Sequence, residues 1–307
     1  MTVKQQTEGN SNMTTYQSRK IIPVLLTALV LWVLPSWAVQ AASDARQPAK
    51  FTQIDVPGAI FTVANGINPR GDIVGLYLDS SGSVHGFLLS KGKFTTIDVP
   101  GANFTVPTRI SPAGGIIGLY RTSNGSTHGF LLSNGEFMTI QKTGTTFTVL
   151  SGINPEGDIV GEYRDSRDNV HSFLLSDGAF TPIVKPGATL TDVEAINPRG
   201  DIVGFYLDKS GNSHGLLLSR GKFTTIDVPG AAQTYGCFGI NPEGDIVGVT
   251  IDGSGNDHGF LLSDGKFNTI DVPGAVSTDA NDINPQDDIV GSYIDSSGNQ
   301  HGFLLSK

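Results

Sequence analysis

Cysteine and tryptophan are almost missing from this sequence of 307 residues. Cys237 is the only cysteine, so the chain cannot form an intramolecular disulfide, and both tryptophans, Trp32 and Trp37, lie close to the N terminus. An exported domain without disulfides depends on its packed core rather than on cross-links. A chain of this length is large enough to bury such a core.

Signatures of catalytic chemistry are also missing. The sequence contains no Gly-x-Ser-x-Gly nucleophile elbow, no His-Glu-x-x-His zinc motif and no phosphate-binding loop. Nothing around Cys237 marks its thiol as reactive, so we interpret it as a thiol in the core or in a loop. The sequence therefore predicts no cofactor, and it leaves open whether the protein is an enzyme.

Basic residues are scarce relative to acidic ones. Lys and Arg total 20 against 29 Asp and Glu, which gives a net charge of −9 at pH 7. Nucleic acids and anionic membranes are bound through basic patches, so this balance argues against both as general partners.

The first 41 residues have the pattern of a secretory leader. Residues 1–20 are polar and end in two basic residues, residues 21–39 are almost wholly apolar, and a small-residue site ends at Ala41. This pattern predicts a signal peptide, residues 1–41, that is cleaved near Ala41. The alternative is an uncleaved membrane anchor, because the apolar run is nearly long enough to span a bilayer.

Cleavage would divide the rest of the chain into a linker, residues 42–50, and a mature domain, residues 51–307. That domain contains no transmembrane segment and is more acidic than the whole chain, since the leader holds three basic residues and one acidic residue. We therefore predict a secreted or periplasmic protein that is a monomer.

The same block of about 43 residues occurs six times in the mature domain. Each copy opens on a Phe-Thr-x-Ile-type segment and continues through an Ile-Asn-Pro turn, an Ile-Val-Gly segment and a His-Gly-Phe-Leu-Leu-Ser segment, with variations between copies. The six copies begin at Phe51, Phe94, Phe137, Phe180, Phe223 and Phe267. Self-similarity at this period is typical of repeat architectures.

Each copy contains four short segments with strand character, separated by turn signals. In the first copy they are residues 61–68, 72–79, 84–90 and 93–99, and no helical period occurs anywhere in the mature domain. Four antiparallel strands per repeat, repeated six times, predict an all-β, six-bladed β-propeller. A β-solenoid is the alternative, but its coils are usually shorter and contain fewer hairpins.

The two ends of the array complement each other. The last copy ends with its His-Gly-Phe-Leu-Leu-Ser segment and lacks the strand that would follow, and the first copy opens on a strand, residues 51–56, that can supply it. We predict that this N-terminal strand pairs into the last blade and closes the ring, which leaves no exposed sheet edge. The Phe-Thr-x-Ile segment is then outermost in every blade, and the variable segment before Ile-Asn-Pro lies beside the central channel.

All histidines of the chain fall at one position of the repeat, where they form a ring on one face: His85, His128, His171, His214, His258 and His301. A metal site is one interpretation of such a ring. We favour a structural role, because equivalent residues of neighbouring blades lie too far apart to share one ion. A strand-end aspartate in the same blade is a suitable hydrogen-bond partner for each imidazole.

Function is expected where the copies disagree, and two such sectors stand out. In the second and third blades basic residues replace apolar or acidic ones on the histidine side: Arg121, Arg164, Arg167, Lys142 and Lys185. They form a candidate site for an anionic group such as a uronate or sulfate. The alternative is a solvated variation in charge.

The second variable sector is the innermost strand. Carboxylates and an amide gather there in the fourth and sixth blades, at Asp192, Glu194, Asp279, Asn281 and Asp282, and predict a site at the channel mouth. Six-bladed lactonases bind calcium through Glu, Asp and Asn of several inner strands. This resemblance in composition makes calcium a candidate cofactor.

The repeat Gly-Ile-Asn-Pro-x-Gly-Asp-Ile-Val-Gly followed by His-Gly-Phe-Leu-Leu resembles the bacterial HAF family of extracellular repeats, named for a His-Ala-Phe triplet. The triplet reads His85-Gly86-Phe87 in the first copy and departs to His171-Ser172-Phe173 in the third. The resemblance covers residues 51–307. It implies an extracellular location and brings no established reaction with it.

These observations favour an exported, non-catalytic scaffold that binds a glycan, another polysaccharide or an envelope protein. One alternative is a lactonase- or lyase-like propeller enzyme with its site at the channel mouth. A purely structural envelope protein is a further alternative.

Overall fold

The computed structural model describes residues 49–306, which form six four-stranded antiparallel sheets and no helix. The first strand of every sheet contacts the first strands of both neighbouring sheets, so the six sheets surround a central channel. The predicted six-bladed β-propeller is confirmed. The predicted signal peptide, residues 1–41, lies outside the described residues, and no helix within residues 49–306 is long and apolar enough to cross a membrane.

Each of the first three blades is continuous in sequence, with its strands running from the channel outwards. Blade 1 comprises β2 (Phe61–Ile67), β3 (Ile73–Leu78), β4 (Val84–Ser90) and β5 (Lys93–Ile97). Blade 2 comprises β6 (Phe104–Ile110), β7 (Ile116–Arg121), β8 (Thr127–Ser133) and β9 (Glu136–Ile140). Blade 3 comprises β10 (Thr148–Ile153), β11 (Ile159–Arg164), β12 (Val170–Ser176) and β13 (Ala179–Ile183).

The last three blades follow the same order, except that blade 6 takes its outer strand from the start of the array. Blade 4 comprises β14 (Leu190–Ile196), β15 (Ile202–Leu207), β16 (Ser213–Ser219) and β17 (Lys222–Ile226). Blade 5 comprises β18 (Gln233–Ile240), β19 (Ile246–Ile251), β20 (Asp257–Ser263) and β21 (Lys266–Ile270). Blade 6 comprises β22 (Ser277–Ile283), β23 (Ile289–Ile294), β24 (Gln300–Ser306) and β1 (Lys50–Ile54).

The N-terminal strand closes the ring, as predicted. β1 pairs antiparallel with β24, with Phe51 opposite Leu305 and Ile54 opposite Gly302. Ile54 is buried in a cluster that includes Ile67 of blade 1, and the ring of Phe51 packs edge-on against Phe303. The first and last blades are therefore joined by side-chain packing as well as by a hydrogen-bonded ladder.

The turns explain why each copy breaks into strands. Asn68 ends β2, and its side-chain Oδ1 accepts hydrogen bonds from the backbone N–H groups of Arg70 and Asp72. Gly71 follows with a φ of 76°, a left-handed conformation that glycine adopts without strain. The outer strands end earlier than the sequence predicts, at Ile97 rather than residue 99, because an Asp-Val-Pro-Gly turn begins there.

The core lies between the blades. Each sheet is apolar on both faces, and in blade 1 Phe87 is fully buried opposite Gly75 in the β3–β4 ladder. A Cβ atom on Gly75 would collide with the carbonyl oxygen of Val63, so the glycine of the Ile-Val-Gly segment allows the inner strands to pack closely. This scaffold keeps the channel-lining strands in fixed positions.

Candidate functional site

A β-bulge interrupts every inner strand and turns one residue towards the channel. At this bulge the ladder between the first two strands of each blade skips a residue. One such residue from each blade lines a cavity of ≈ 180 Å³ together with Arg109. The six skipped residues are Asn65, Thr108, Ser151, Glu194, Phe238 and Asn281. We call them the bulge ring. Bulges often re-aim a side chain beside a functional site.

Half of the bulge ring is closed by hydrogen bonds between blades. Asn281 donates to the carbonyl of Ala64, Asn65 donates to that of Pro107, and Thr108 donates to that of Leu150. Glu194 in its ionised form and Phe238 have no side-chain donor with which to continue the pattern. Blades 6, 1, 2 and 3 are thus joined around the channel, whereas blades 4 and 5 present a carboxylate and a phenyl ring.

Arg109 forms the floor of this cavity. Its guanidinium donates to the carbonyls of Asn65 and Thr108 at 2.9 and 2.8 Å, and it also reaches carbonyls of Phe238 and Asn281 in blades 5 and 6. Its Nε lies 3.8 Å from Oδ1 of Asp282, and both side chains are largely buried. One arginine of blade 2 therefore ties three other blades together across the channel axis.

A second cavity lies below Arg109, at the end of the channel opposite the histidines. It measures ≈ 80 Å³ and is lined by Arg109, Asp282 and the prolines of the six turns, Pro69, Pro112, Pro155, Pro198, Pro242 and Pro285. The two cavities share Arg109, so its side chain separates the proline end of the channel from the histidine end.

An acidic cluster lies above the bulge ring on the histidine side. Asp192 and Glu194 project from β14, and Glu162 of the neighbouring β11 lies within electrostatic range of both. Burial, and then the charges of Glu194 and Glu162, raise the pKa of Asp192 to about 9. Burial also raises the pKa of Glu194 to about 7, against the opposing charge of Arg109. At neutral pH Asp192 therefore holds a proton and Glu194 is partly protonated.

Aromatic rings adjoin the acidic cluster. Asp192 pairs with Phe205 across the β14–β15 ladder, and the Phe205 ring lies nearly parallel to that of Tyr235, with centroids 6.3 Å apart. The Phe238 ring of the bulge ring also lies near Tyr235, with centroids 6.2 Å apart. The Tyr235 side chain is half exposed. The fifth copy has one residue more than the others in this strand, and this extra residue creates a second bulge in β18 at Tyr235. We call Glu162, Asp192, Glu194, Phe205 and Tyr235 the mouth site.

The sixth-blade residues predicted at the channel mouth occupy three different levels. Asp279 lies on β22 with Ser292 opposite, and burial followed by the charge of Asp257 raises its pKa to about 6. Asn281 belongs to the bulge ring, and Asp282 is buried beneath it against Arg109. The two predicted groups lie on strands of blades 4 and 6, which blade 5 separates, and only Glu194 and Asn281 line the same cavity.

The protonation of the mouth site predicts a pH-dependent stability. In the unfolded chain Asp192 and Glu194 ionise near their ordinary values of 3.8 and 4.5, whereas in the folded protein they retain protons up to about pH 9 and 7. The folded state binds more protons in this window, so its stability falls as pH rises. We expect the midpoint of thermal unfolding to decrease from about pH 5 to about pH 9.

The control for this prediction is the double variant Asp192→Asn/Glu194→Gln, which should lose most of the decrease. A residual decrease near neutral pH belongs to histidines such as His258, whose pKa is raised by its hydrogen bonds to Asp271. An unchanged pH profile in the double variant would contradict the assignment of raised pKa values to these two carboxyls.

Each histidine is held by side chains of its own blade. The Nδ1 of His85 lies 2.9 Å from Asp98 and its Nε2 lies 3.3 Å from Asp79. Blade 6 repeats this bridge across the closure, where His301 contacts Asp55 of the N-terminal strand and Asp295. Gln141 takes the place of the outer aspartate in blade 2. In blades 1, 4, 5 and 6 the histidine thus joins the aspartate after the outer strand to the aspartate in the turn after the second strand.

Each of the five basic residues of the anion-site hypothesis has contacts of its own. Arg164 lies over the Phe147 ring and pairs with Asp168 at 3.3 Å, and Arg121 donates to the carbonyl of Gly125. The Lys142 ammonium lies over the Tyr163 ring, and that of Lys185 lies 3.8 Å from the centroid of the Tyr206 ring. Arg167 lies in the turn after β11, where its backbone N–H donates to Asp165.

The calcium hypothesis requires several oxygen ligands that converge on one position. Within residues 49–306, no group of three or more His, Cys, Asp or Glu side chains is arranged to hold a metal ion. Cys237 is buried in the core between blades 4 and 5, and burial raises the pKa of its thiol to about 12.

Comparison with known proteins identifies the fold class, a six-bladed β-propeller. A putative TolB from Agrobacterium tumefaciens has a TM-score of 0.55 and 15% identity over 80% of this chain and 90% of its own. TolB from Acinetobacter baumannii has a TM-score of 0.53 and 12% identity, over 80% and 64%. A mutant of the Aleuria aurantia lectin in complex with alpha-methyl-L-fucoside has a TM-score of 0.49 and 11% identity, over 82% and 93%.

At these identities the likeness to solved structures establishes the fold and nothing about the ligand. No protein-family model and no curated protein matches the chain. The resemblance to the HAF repeat family therefore remains a prediction.

Proposed function

We propose that the protein is an exported, non-catalytic scaffold that binds a glycan of the cell envelope at the mouth site. The observation that carries this proposal is the half-exposed ring of Tyr235 beside the carboxyl cluster of Asp192, Glu194 and Glu162, in which Asp192 holds a proton at neutral pH. Positions at which the blades agree are explained by the needs of the scaffold.

The chemistry of the mouth site suits a sugar. The face of an aromatic ring packs against the C–H groups of a pyranose, and carboxyl oxygens accept hydrogen bonds from its hydroxyls. Because Asp192 keeps its proton at neutral pH, it also donates a hydrogen bond to a ring or hydroxyl oxygen. A neutral sugar or an amino sugar fits this cluster better than a strongly anionic one, which the neighbouring carboxylates would repel.

The location and the oligomeric state belong to the same proposal. We propose that residues 1–41 direct export and are removed near Ala41, so that the propeller acts in the periplasm or outside the cell. Ring closure within one chain supports a monomer, because no blade needs a strand from a second copy.

A glycan-array screen of the full chain tests the proposal. We expect binding to neutral or amino glycans that falls about ten-fold in the Asp192→Ala/Glu194→Ala variant, since each lost hydrogen bond is worth about 0.5–1.5 kcal/mol. The matched control is Arg121→Glu/Arg164→Glu, which should bind as the wild type does. Binding restricted to acidic glycans and lost in the arginine variant would instead place the ligand at the basic residues and contradict the proposal.

A second candidate function, a lactonase- or lyase-like enzyme, is favoured by one observation. A carboxyl whose pKa is near 7, that of Glu194, is suited to general acid–base catalysis. The same screen separates the two functions, because an enzyme releases hydrolysed or unsaturated products that mass spectrometry detects. A binding scaffold leaves its ligand intact.

A further inference from the structure

One tyrosine recurs in five of the six blades, each time beside the histidine of the next strand. It occupies the fifth residue of the second strand, and its ring packs on the imidazole of the next strand, with centroids 5.0 Å apart for Tyr206 and His214 and 5.3 Å for Tyr120 and His128. The five tyrosines are Tyr77, Tyr120, Tyr163, Tyr206 and Tyr293. Blade 5 carries Thr250 at this position.

The other walls of the tyrosine site are alike in blades 1 and 2. In blade 1 the Tyr77 hydroxyl lies 3.0 Å from the hydroxyl of Thr96, and in blade 2 that of Tyr120 lies 2.8 Å from the hydroxyl of Thr139. Val56, from the loop after the preceding blade's outer strand, packs with Tyr77 against one core cluster, and Val99 does so with Tyr120. In blade 4 a lysine at this loop position, Lys185, lies over the face of the Tyr206 ring, which shows that the position covers the ring.

Blade 5 keeps these walls without the ring. A cleft of ≈ 310 Å³ opens there, and its lining includes Val228, Thr250, His258, Thr269 and Asp271. Val228, His258 and Thr269 correspond to Val56, His85 and Thr96 of blade 1. The orientation of the His258 ring is fixed by two aspartates, because its Nδ1 lies 3.1 Å from Asp271 and its Nε2 lies 3.4 Å from Asp252.

We propose that this cleft binds a p-hydroxyphenyl group, which takes the place of the missing tyrosine side chain. The ring lies between Val228 and His258, and the hydroxyl exchanges a hydrogen bond with Thr269. In blades 1 and 2 the same valine, histidine and threonine positions surround a tyrosine ring, so these walls accept a phenol in this orientation. A preformed cavity that a side chain has vacated is a recognised binding site for a ligand of the same shape. This site is separate from the mouth site and does not depend on the glycan proposal.

Titration of the full chain with p-cresol, followed by NMR of the histidine ring signals, tests the inference. We expect a dissociation constant of roughly 0.1–1 mM, the range for a ligand of so few heavy atoms, with shifts at His258. Toluene lacks the hydroxyl and should bind about five-fold more weakly. Thr250→Tyr fills the cleft from within and should abolish p-cresol binding. A parallel titration with N-acetyltyrosinamide distinguishes a tyrosyl ligand from a free phenol, because it binds only if the cleft also admits the peptide groups.

A gain-of-site variant gives the matched control. Tyr77→Thr recreates the cleft between Val56, His85 and Thr96 and should raise the number of p-cresol sites per chain from one to two. Thr269→Val should remove the preference for p-cresol over toluene and leave toluene binding in place. The inference is overturned if p-cresol does not bind at millimolar concentration, or if Thr250→Tyr binds it as tightly as the wild type.

Discussion

Deleting Lys50–Ile54 from the full chain is expected to abolish the cooperative unfolding of the propeller. The deletion removes the outer strand of blade 6 and leaves the edge of β24 unpaired. It also removes Ile54 from the core between blades 6 and 1 and the edge-on contact of Phe51 with Phe303. Burial of one such side chain is worth about 1.5–3 kcal/mol, so the total loss approaches the whole stability of a domain, about 5–15 kcal/mol.

A rearranged chain provides the control for this deletion. Residues 50–56 are moved behind Lys307 through a single inserted glycine, which reproduces the Ser90-Lys91-Gly92-Lys93 turn of blade 1. Blade 6 is then continuous in sequence like the other five, and differential scanning calorimetry should again show one sharp transition. A deletion variant that melts like the wild type, or a rearranged chain that melts like the deletion variant, would contradict closure through β1.

Replacement of Arg109 by Met is expected to destabilise the protein by about 3–5 kcal/mol, the usual cost of breaking a buried ion pair from one side. The variant leaves the carboxylate of Asp282 buried without its counter-ion. It also removes the hydrogen bonds that the Arg109 guanidinium donates to the carbonyls of Asn65 and Asn281. Urea-induced unfolding at neutral pH measures the loss.

A double-mutant cycle separates the ion pair from the carbonyl contacts. Asp282→Asn keeps an oxygen that accepts the Ile67 N–H and leaves Arg109 its carbonyl partners, so its loss should be smaller. Arg109→Met/Asp282→Asn should be more stable than the sum of the single losses predicts, by about 1 kcal/mol or more. Arg109→Met should also regain stability as pH falls, because protonation removes the buried charge. Additive losses would show that Arg109 acts only through the carbonyls.

The fold could be predicted from the sequence because the same pattern of strand segments and turn residues occurs in all six copies. The Asn-Pro-x-Gly turns mark where the inner strands end, and the alternation of strand segments with such turns fixes four strands per blade. The closure by β1 followed from the complementary ends of the array, and the structure confirms it. Only strand ends differ, where a side chain or a turn ends the ladder sooner than the apolar pattern does.

The candidate site was only partly accessible to the same reasoning. Asp192 and Glu194 stood out as carboxylates on an inner strand, but Glu162 lies on a second strand and joins them only through the packing of blade 3 on blade 4. The bulge ring was missed because a bulge depends on the register between two paired strands, and the sequence of a single copy does not give that register. The available signal was that a small residue directly follows the variable bulge residue in four of the six copies, at Gly66, Gly152, Ala195 and Gly239.

Arg109 and the aromatic residues were missed for different reasons. Arg109 reaches blades 5 and 6 across the channel, and contacts across a ring axis leave no trace in sequence spacing. The extra residue in the fifth copy was visible, but its consequence, a second bulge at Tyr235, depends on the register of β18 with β19. Sequence variation between repeats marked the correct strands without giving the geometry of the site.

The central claim is that ligand binding resides where the blades differ and not in what they share. The most direct measurement is a calorimetric titration of the glycan selected on the array into Tyr235→Ala and, as the matched control, Tyr77→Ala. Tyr235 is half exposed at the mouth site, whereas Tyr77 belongs to the shared scaffold. We expect Tyr235→Ala to lose about 2 kcal/mol of binding free energy, roughly thirty-fold in affinity. We expect Tyr77→Ala to keep its affinity and to unfold at a lower temperature. Unchanged affinity in Tyr235→Ala together with lost affinity in Tyr77→Ala would contradict the claim.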